Sequence, residues 1–219
     1  MAQKIKKRQN MIRSFSAKDL CSQSCMQIRM FQVHPELRTI TASQRKHMID
    51  GVSFQSKIAS KQDNLIGEEM RGYYTHRDIR IFFCNDIVCK DKIIEVKYID
   101  GSRTVEKWYF ESSLLQAALY YSLLLCSENL ELVTATFARE ERKPERKILF
   151  NKEMNYYLHF GNDVYQIHCS SPKKIVSFFT QKASSTSNWN DAKAFDQEFK
   201  HKEYQVLKKY FSYTKVNSQ

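Results

Sequence analysis

No apolar run in this chain approaches the roughly 20 residues needed to span a bilayer. The longest, Leu114 to Cys126, is too short and carries Gln116 and two tyrosines. A secretory leader is not expected either, because the basic N-terminus (Lys4, Lys6, Lys7, Arg8, Arg13) has no apolar segment behind it. It reads instead as a solvated or phosphate-touching tail. Soft-metal spacing is missing too. Of the six cysteines, only Cys21 and Cys25 could share a helix face, and one such pair lacks two further soft ligands. Cys84, Cys89, Cys126 and Cys169 are scattered, so buried thiols rather than disulfides are expected in an intracellular, cytoplasmic chain. Internal repeats and low-complexity tracts do not occur. Acid is in short supply, with 24 Asp and Glu against 35 Lys and Arg, a formal charge of +11. That balance favours an anionic partner, nucleic acid before a membrane surface.

What is present is enough to fold. The 219 residues are 42% hydrophobic and 13% aromatic, a composition that supports a core and one domain. Residues 14 to 31 read as a capped helix, with Ser16 as N-cap and Asp19 at the third helical position. Pro35 ends that element, and a second helix is expected over Ser43 to Ala59, with Gly51 inside it. Residues 63 to 74 are mixed. Asp78 to Cys84 reads as a strand, Asn85-Asp86 as a turn, and Ile87 to Cys89 and Ile93 to Ile99 as further strand pieces. Asp100-Gly101 is a hairpin signal leading into a strand over Thr104 to Phe110. Ser112 to Ser127 is apolar almost all round, which implies a helix buried against a sheet. Leu130 to Ala138 is a strand, 139 to 147 a charge-dense connection, and Ile148 to Phe150 a short edge strand. Tyr156 to Cys169 is extended and Pro172 to Phe179 helical. A Ser-rich loop follows over 182 to 191, and Ala192 to Phe211 is a basic amphipathic helix. The order implies an α/β fold, a central mixed β-sheet flanked by α-helices.

The chemistry concentrates in IIEVKYI, residues 93 to 99. Side chains two apart on a strand share a face, so Glu95 and Lys97 point the same way. The flanking Ile93, Ile94, Val96 and Ile99 suggest burial on both faces, where an unpaired charge is expensive. Carboxylates there suit a hard cation, which takes one or two carboxylates together with substrate phosphate. Two aspartates precede Glu95. Asp78 lies in a strand pattern and ranks first as a partner; Asp86 sits beside Asn85 in apparent turn context and ranks second. Glu68 and Glu69 could add a carboxylate, although a solvated face is favoured for them. Gln116 and Tyr120, at i and i+4, share a helix face, and a glutamine on an apolar helix is harder to place in a core than a tyrosine. His76, His159 and His168 show no ligand spacing. Trp189 could stack on a base or dock on the protein surface, and the lysines from 193 to 209 form a solvated face able to track phosphate.

Taken together, SFSAKDLCSQSC, RDIRIFF, IIEVKYI and QAALY resemble, in order, four segments of the PD-(D/E)XK nuclease superfamily, specifically its RecB-type and CRISPR-adaptation exonuclease branch. The resemblance covers about residues 14 to 125. It implies a restriction-endonuclease-like core in a single nuclease domain over 1–219. That domain comprises a basic tail (1–13), a catalytic core (14–138) and a C-terminal completion with a basic helix (139–219). It also implies a metal-dependent DNA nuclease using Mg2+ or Mn2+. Asp78 and Glu95 would be the metal ligands, the Val96 carbonyl would complete the site, Lys97 would be the catalytic lysine, and Gln116 and Tyr120 would face the DNA. The departures are specific. Gln55 stands where the branch has a metal-binding histidine, and His47 lies too early to replace it. The branch's downstream cysteine triplet is absent, since only Cys169 follows Cys126, so no iron–sulfur cluster is expected. The partner expected is single- or double-stranded DNA, with room for a protein of a repair, replication or defence complex, and no membrane is expected. The runner-up function is a catalytically impaired nuclease-fold protein that binds nucleic acid.

Overall fold

The computed structural model describes residues 12–100, 105–128, 130–134 and 146–216. Strand β1 (Arg13–Ser16) leads into two short helices, α1 (Ala17–Ser22) and α2 (Cys25–Val33), and then the long α3 (Ala42–Ala59). An antiparallel meander follows: β2 (Leu65–His76), β3 (Ile79–Cys89) and β4 (Lys92–Lys97). Helix α4 (Lys107–Cys126) precedes β5 (Glu131–Thr134), β6 (Lys147–Leu149), β7 (Asn155–Phe160) and β8 (Asp163–Cys169). Helices α5 (Pro172–Ser185), α6 (Trp189–Phe199) and α7 (Glu203–Leu207) and strand β9 (Phe211–Val216) complete the described elements. Among the described residues nine strands form one mixed sheet, ordered β6-β5-β2-β3-β4-β7-β8-β9, with β1 alongside β3. The fold is therefore α/β, a mixed central sheet flanked by helices. No helix among the described residues is long and apolar enough to cross a membrane.

The order places β4 at the centre. It runs antiparallel to β3 and parallel to β7, which the chain reaches through α4 and then β5 and β6 at the far edge. Parallel neighbours require such a crossover, and α4 supplies it because it is apolar enough to be buried along most of its length. Leu114, Ala117, Ala118, Leu119, Leu123 and Leu124 are inaccessible to solvent and pack with Ile81, Tyr156 and Leu158. On the opposite face α3 covers a smaller cluster of Ala59, Ile87, Cys89, Ile94 and Val96.

Several local expectations are corrected. The single helix over 14 to 31 is a strand and two helices. Ser16 does cap, its hydroxyl accepting from the Asp19 N–H at 3.4 Å, but the chain breaks at Gln23 and restarts on a full capping box of Ser24 and Gln27. The mixed stretch from 63 becomes β2, in register with β3. Asn85-Asp86 is not a turn: β3 runs through it, with Asn85 buried and its amide donating to the Met70 carbonyl at 3.4 Å. Part of the Asp100-Gly101 hairpin signal and of the strand over Thr104 to Phe110 lies outside the described residues. From Lys107 onward that stretch is the first turn of α4, with Tyr109 and Phe110 packed on Phe160. The Ser-rich loop is shortened by α5, which extends to Ser185. The terminal basic helix is three elements, interrupted where His201 takes a left-handed φ of 63° and closed by β9 on β8. The segment 135–145, most of the charge-dense connection, lies outside the described residues, as do Lys4 to Arg8.

His159 on β7 sits opposite Val96. Burial, helped by Lys92, pushes its imidazole pKa down from 6.5 to about 4. The folded protein therefore binds fewer protons than the unfolded chain between those values. Its contribution is complete above about pH 6.5 and is lost as pH falls toward 4, by at most about 3 kcal/mol. Thermal midpoints of the wild type and His159→Gln should accordingly converge or cross as pH drops from 7 to 4; a constant gap would contradict the assignment.

Candidate functional site

Strands β2 and β3 keep one register from Gly67↔Val88 to His76↔Ile79. Along β3 the odd-numbered residues nevertheless change sides. Ile79, Ile81 and Phe83 face α4, whereas Ile87 and Cys89 face α3. The reversal falls at Asp86 and, opposite it in register, Glu69, whose backbone has a φ of 53°. A left-handed glutamate within a strand is strained, and such residues cluster where structure serves function.

At the same level β3 and β4 part. Their ladder pairs Ile87 with Ile94 and Val88 with Ile93, and beyond it the Asp86 side chain bridges the strands. Asp86 Oδ2 accepts the Val96 N–H at 2.7 Å. On an extended strand the carbonyl of a residue lies on the same edge as its N–H, so the Val96 carbonyl faces this gap too.

Glu95, almost wholly buried, points to the α4 side. Its Oε1 accepts from Lys97 Nζ and from Gln116 Nε2, each at 2.7 Å. Its Oε2 is buried and has no partner. Tyr120, one turn further along α4, packs against Phe83. Period-2 spacing on β4 and i, i+4 spacing on α4 thus deliver Glu95, Lys97, Gln116 and Tyr120 to one place. From the opposite face Gln55 Nε2 donates to the Asp86 carbonyl at 3.0 Å. That amide shapes the backbone beneath the carboxylate.

Electrostatics follow from burial. Burial pushes the Glu95 carboxyl up, with Lys97 pulling it back. Asp86 is raised strongly, first by burial and then by the Glu95 charge. Burial alone would lower the Lys97 ammonium, but Glu95 and Asp86 outweigh it and hold it above its ordinary value, so it is charged at neutral pH. Glu69 acts on both carboxylates from β2, where its Oε2 accepts from Cys84 Sγ at 3.3 Å.

Asp78 is elsewhere, which corrects its assignment as the partner of Glu95. It occupies the two-residue β2–β3 turn with Arg77, whose φ of 55° suits a tight hairpin. Eight residues separate it from Asp86, about 26 Å along a strand. Its carboxylate takes a double hydrogen bond from Arg13, at 3.1 and 2.9 Å. That bond holds its pKa below the ordinary range. Asp86, ranked second on the sequence, occupies the position beside Glu95. Glu68 stands opposite Ile87. Trp189 opens α6, partly exposed, with the Arg29 guanidinium over its ring. The six cysteines are free.

The donors gathered at the seam are two carboxylates and one main-chain carbonyl. Among the described residues no three His, Cys, Asp or Glu side chains form a cage. A two-carboxylate oxygen set fits Mg2+ or Mn2+, since Mg2+ keeps several waters and binds through one or two carboxylates. The unpartnered Glu95 Oε2 is the observation that fits a cation. No family model matches the chain, and no curated protein or solved structure matches it.

Proposed function

We propose that this chain is a metal-dependent deoxyribonuclease that hydrolyses phosphodiester bonds from a restriction-endonuclease-like core of the PD-(D/E)XK type. The observation that carries the reading is Glu95. One oxygen is fixed by Lys97 and Gln116, the other is buried without a partner, and a second carboxylate, Asp86, lies on the adjoining strand. Asp86, Glu95 and the Val96 carbonyl would hold Mg2+ or Mn2+. The chemistry supplied by the bound ion is Lewis acidity toward the phosphate and a more acidic water. Lys97, held charged beside Glu95, neutralises charge developing on the phosphate and orients the attacking water. Gln116 fixes the Glu95 rotamer, and Tyr120 closes the same face of α4 against Phe83.

One observation favours the alternative of a nuclease-fold protein that binds nucleic acid without cutting it. The Gln55 amide is spent on a backbone carbonyl, so Gln55 does not stand in for the histidine of the resembling branch. Incubation of wild type and Lys97→Ala with single-stranded and duplex DNA in Mn2+ and in EDTA separates the two. Mn2+-dependent cleavage by the wild type that falls at least about 100-fold in Lys97→Ala is expected. Binding without cleavage by either protein makes the alternative the function.

A further inference from the structure

The reversal at Glu69 and Asp86 leaves the outer half of the β2–β3 hairpin with one face on the core and the other in solvent. The solvent face is built from register-paired rungs: Thr75 with Arg80, Tyr73 with Phe82, and Arg71 with Cys84. Tyr73 is 53% exposed and Phe82 43%, and their rings lie 6.4 Å apart at 65°. The Arg80 guanidinium sits 4.9 Å over the Tyr73 ring, with Nε held by the Thr75 hydroxyl. Strand β1 extends the floor with exposed Ser14 and Ser16, opposite Arg80 and Phe82.

This face runs straight into the candidate site. Two residues beyond Arg71 and Cys84 stand Glu69 and Asp86, where the alternation reverses, and Cys84 hydrogen-bonds Glu69. Phe82 is four residues from Asp86, about 13 Å along the strand. The acids of the hairpin stand at its two ends, Glu69 against Cys84 and Asp78 against Arg13. Between them this face carries Arg71, Tyr73, Thr75, Arg80, Phe82 and Cys84, none of them acidic. Exposed rings offer stacking surface that every base can use, and interleaved arginines meet the backbone phosphates. A duplex keeps its bases stacked inside and cannot use the rings.

We propose that the exposed face of the β2–β3 hairpin, centred on Tyr73 and Phe82 with Arg71 and Arg80, binds single-stranded nucleic acid and leads the strand to Asp86 and Glu95. The proposal rests on the nucleic-acid reading of the site and adds to it a strand preference and a direction of approach. Stacking on a side chain changes affinity by about 5- to 150-fold per base.

The test compares the wild type with Tyr73→Ala/Phe82→Ala and with Arg71→Gln/Arg80→Gln. Probes are a fluorescein-labelled oligothymidylate of about 20 nucleotides, long enough for an ordinary single-strand site, and a blunt duplex. Binding is read in EDTA and cleavage in Mn2+. The aromatic pair variant should bind the single strand at least tenfold more weakly, raise its KM with kcat little changed, and leave duplex binding and the thermal midpoint unaltered. The arginine variant should reduce the salt slope of single-strand binding by about 1.4, near 0.7 per phosphate contact. Unchanged single-strand binding in the aromatic variant, beside a wild type that binds or cuts, overturns the track and leaves the nuclease reading standing. An equal loss on duplex also overturns it. So does self-association of the wild type that the variant abolishes without changing DNA binding, which would assign the face to contact between copies. A wild type that neither binds nor cuts either probe overturns both readings.

Discussion

Asp86→Asn should lower Mn2+-dependent DNA cleavage by about 10^2–10^4-fold, the range for losing a group that acts on the transition state. Asp78→Asn should leave cleavage within about twofold of wild type, since nothing tied to the reaction is removed. The contrast follows from position. The Asp86 carboxylate bridges β3 to β4 through the Val96 N–H and lies in the field of Glu95 and Lys97. Asp78 holds Arg13 at the far end of the hairpin, a solvent-screened pair. Asp86→Asn keeps the size of the side chain and an oxygen able to accept the Val96 N–H, so the strand seam should survive and the thermal midpoint should not fall. Single-turnover cleavage with enzyme in excess reads the two variants directly. If Asp78→Asn is the inactive one, the site has been assigned to the wrong end of β3.

The second large effect concerns stability. Lys182 on α5 is fully buried, and its ammonium donates to the Leu20 carbonyl at 2.7 Å and to Glu203 Oε1 at 3.1 Å. The Leu20 carbonyl lies in the last turn of α1, where helical carbonyls lack partners of their own, so the lysine ties three helices together. Glu203→Ala leaves a buried cation with one neutral partner and should cost about 3–5 kcal/mol. That is on the order of 10 °C in midpoint for a chain of this size. Lys182→Met removes the charge as well, keeps most of the volume, and orphans only the carbonyl and a glutamate that is partly open to water. It should cost about 1–3 kcal/mol. Urea unfolding midpoints at constant slope measure both. A Glu203→Ala change milder than Lys182→Met would mean that the ammonium reaches water.

How much of this could be read from residue order depends on where the deciding partners lie. Glu95 and Lys97 were legible because strand alternation alone puts both on one face, and the apolar neighbours made their charges conspicuous. Gln116 and Tyr120 were legible for the analogous helical reason, and the polar amide among the apolar residues of α4 marked the stripe that meets Glu95. Asp86 ranks second on the sequence because Asn-Asp is turn chemistry whenever only neighbours are considered. Here the Asn85 amide is satisfied by Met70 and the Asp86 carboxylate by Val96, partners 15 and 10 residues away. Tertiary hydrogen bonds overrode the local preference. The start of α4 departs from the expected strand for a related reason. Trp108, Tyr109 and Phe110 favour strands by shape, but the sheet already present offered Phe160 as a surface for a helix to cover. Strand β9 lies almost wholly beyond the expected basic helix, sharing only Phe211 with it, and its pairing with β8 joins residues far apart in the chain. The face carrying Tyr73 and Phe82 needed the β2–β3 register, since nothing local pairs residues on separate strands.

Strand order has a consequence for the timing of assembly. The residues that would do the chemistry all precede residue 121, yet β4, which carries three of them (Glu95, Val96 and Lys97), lies between β3 and β7. Its outer edge cannot be satisfied until residues 155–160 have emerged during synthesis and paired in parallel. Until then a strand of Ile, Val, Glu and Lys stands with one edge open, the situation that invites pairing with other chains. Parallel pairing across a long sequence separation is also slow to form. A chain arrested after α4 would hold every group of the candidate site and lack the strand that closes it, and is the species in which aggregation should be sought.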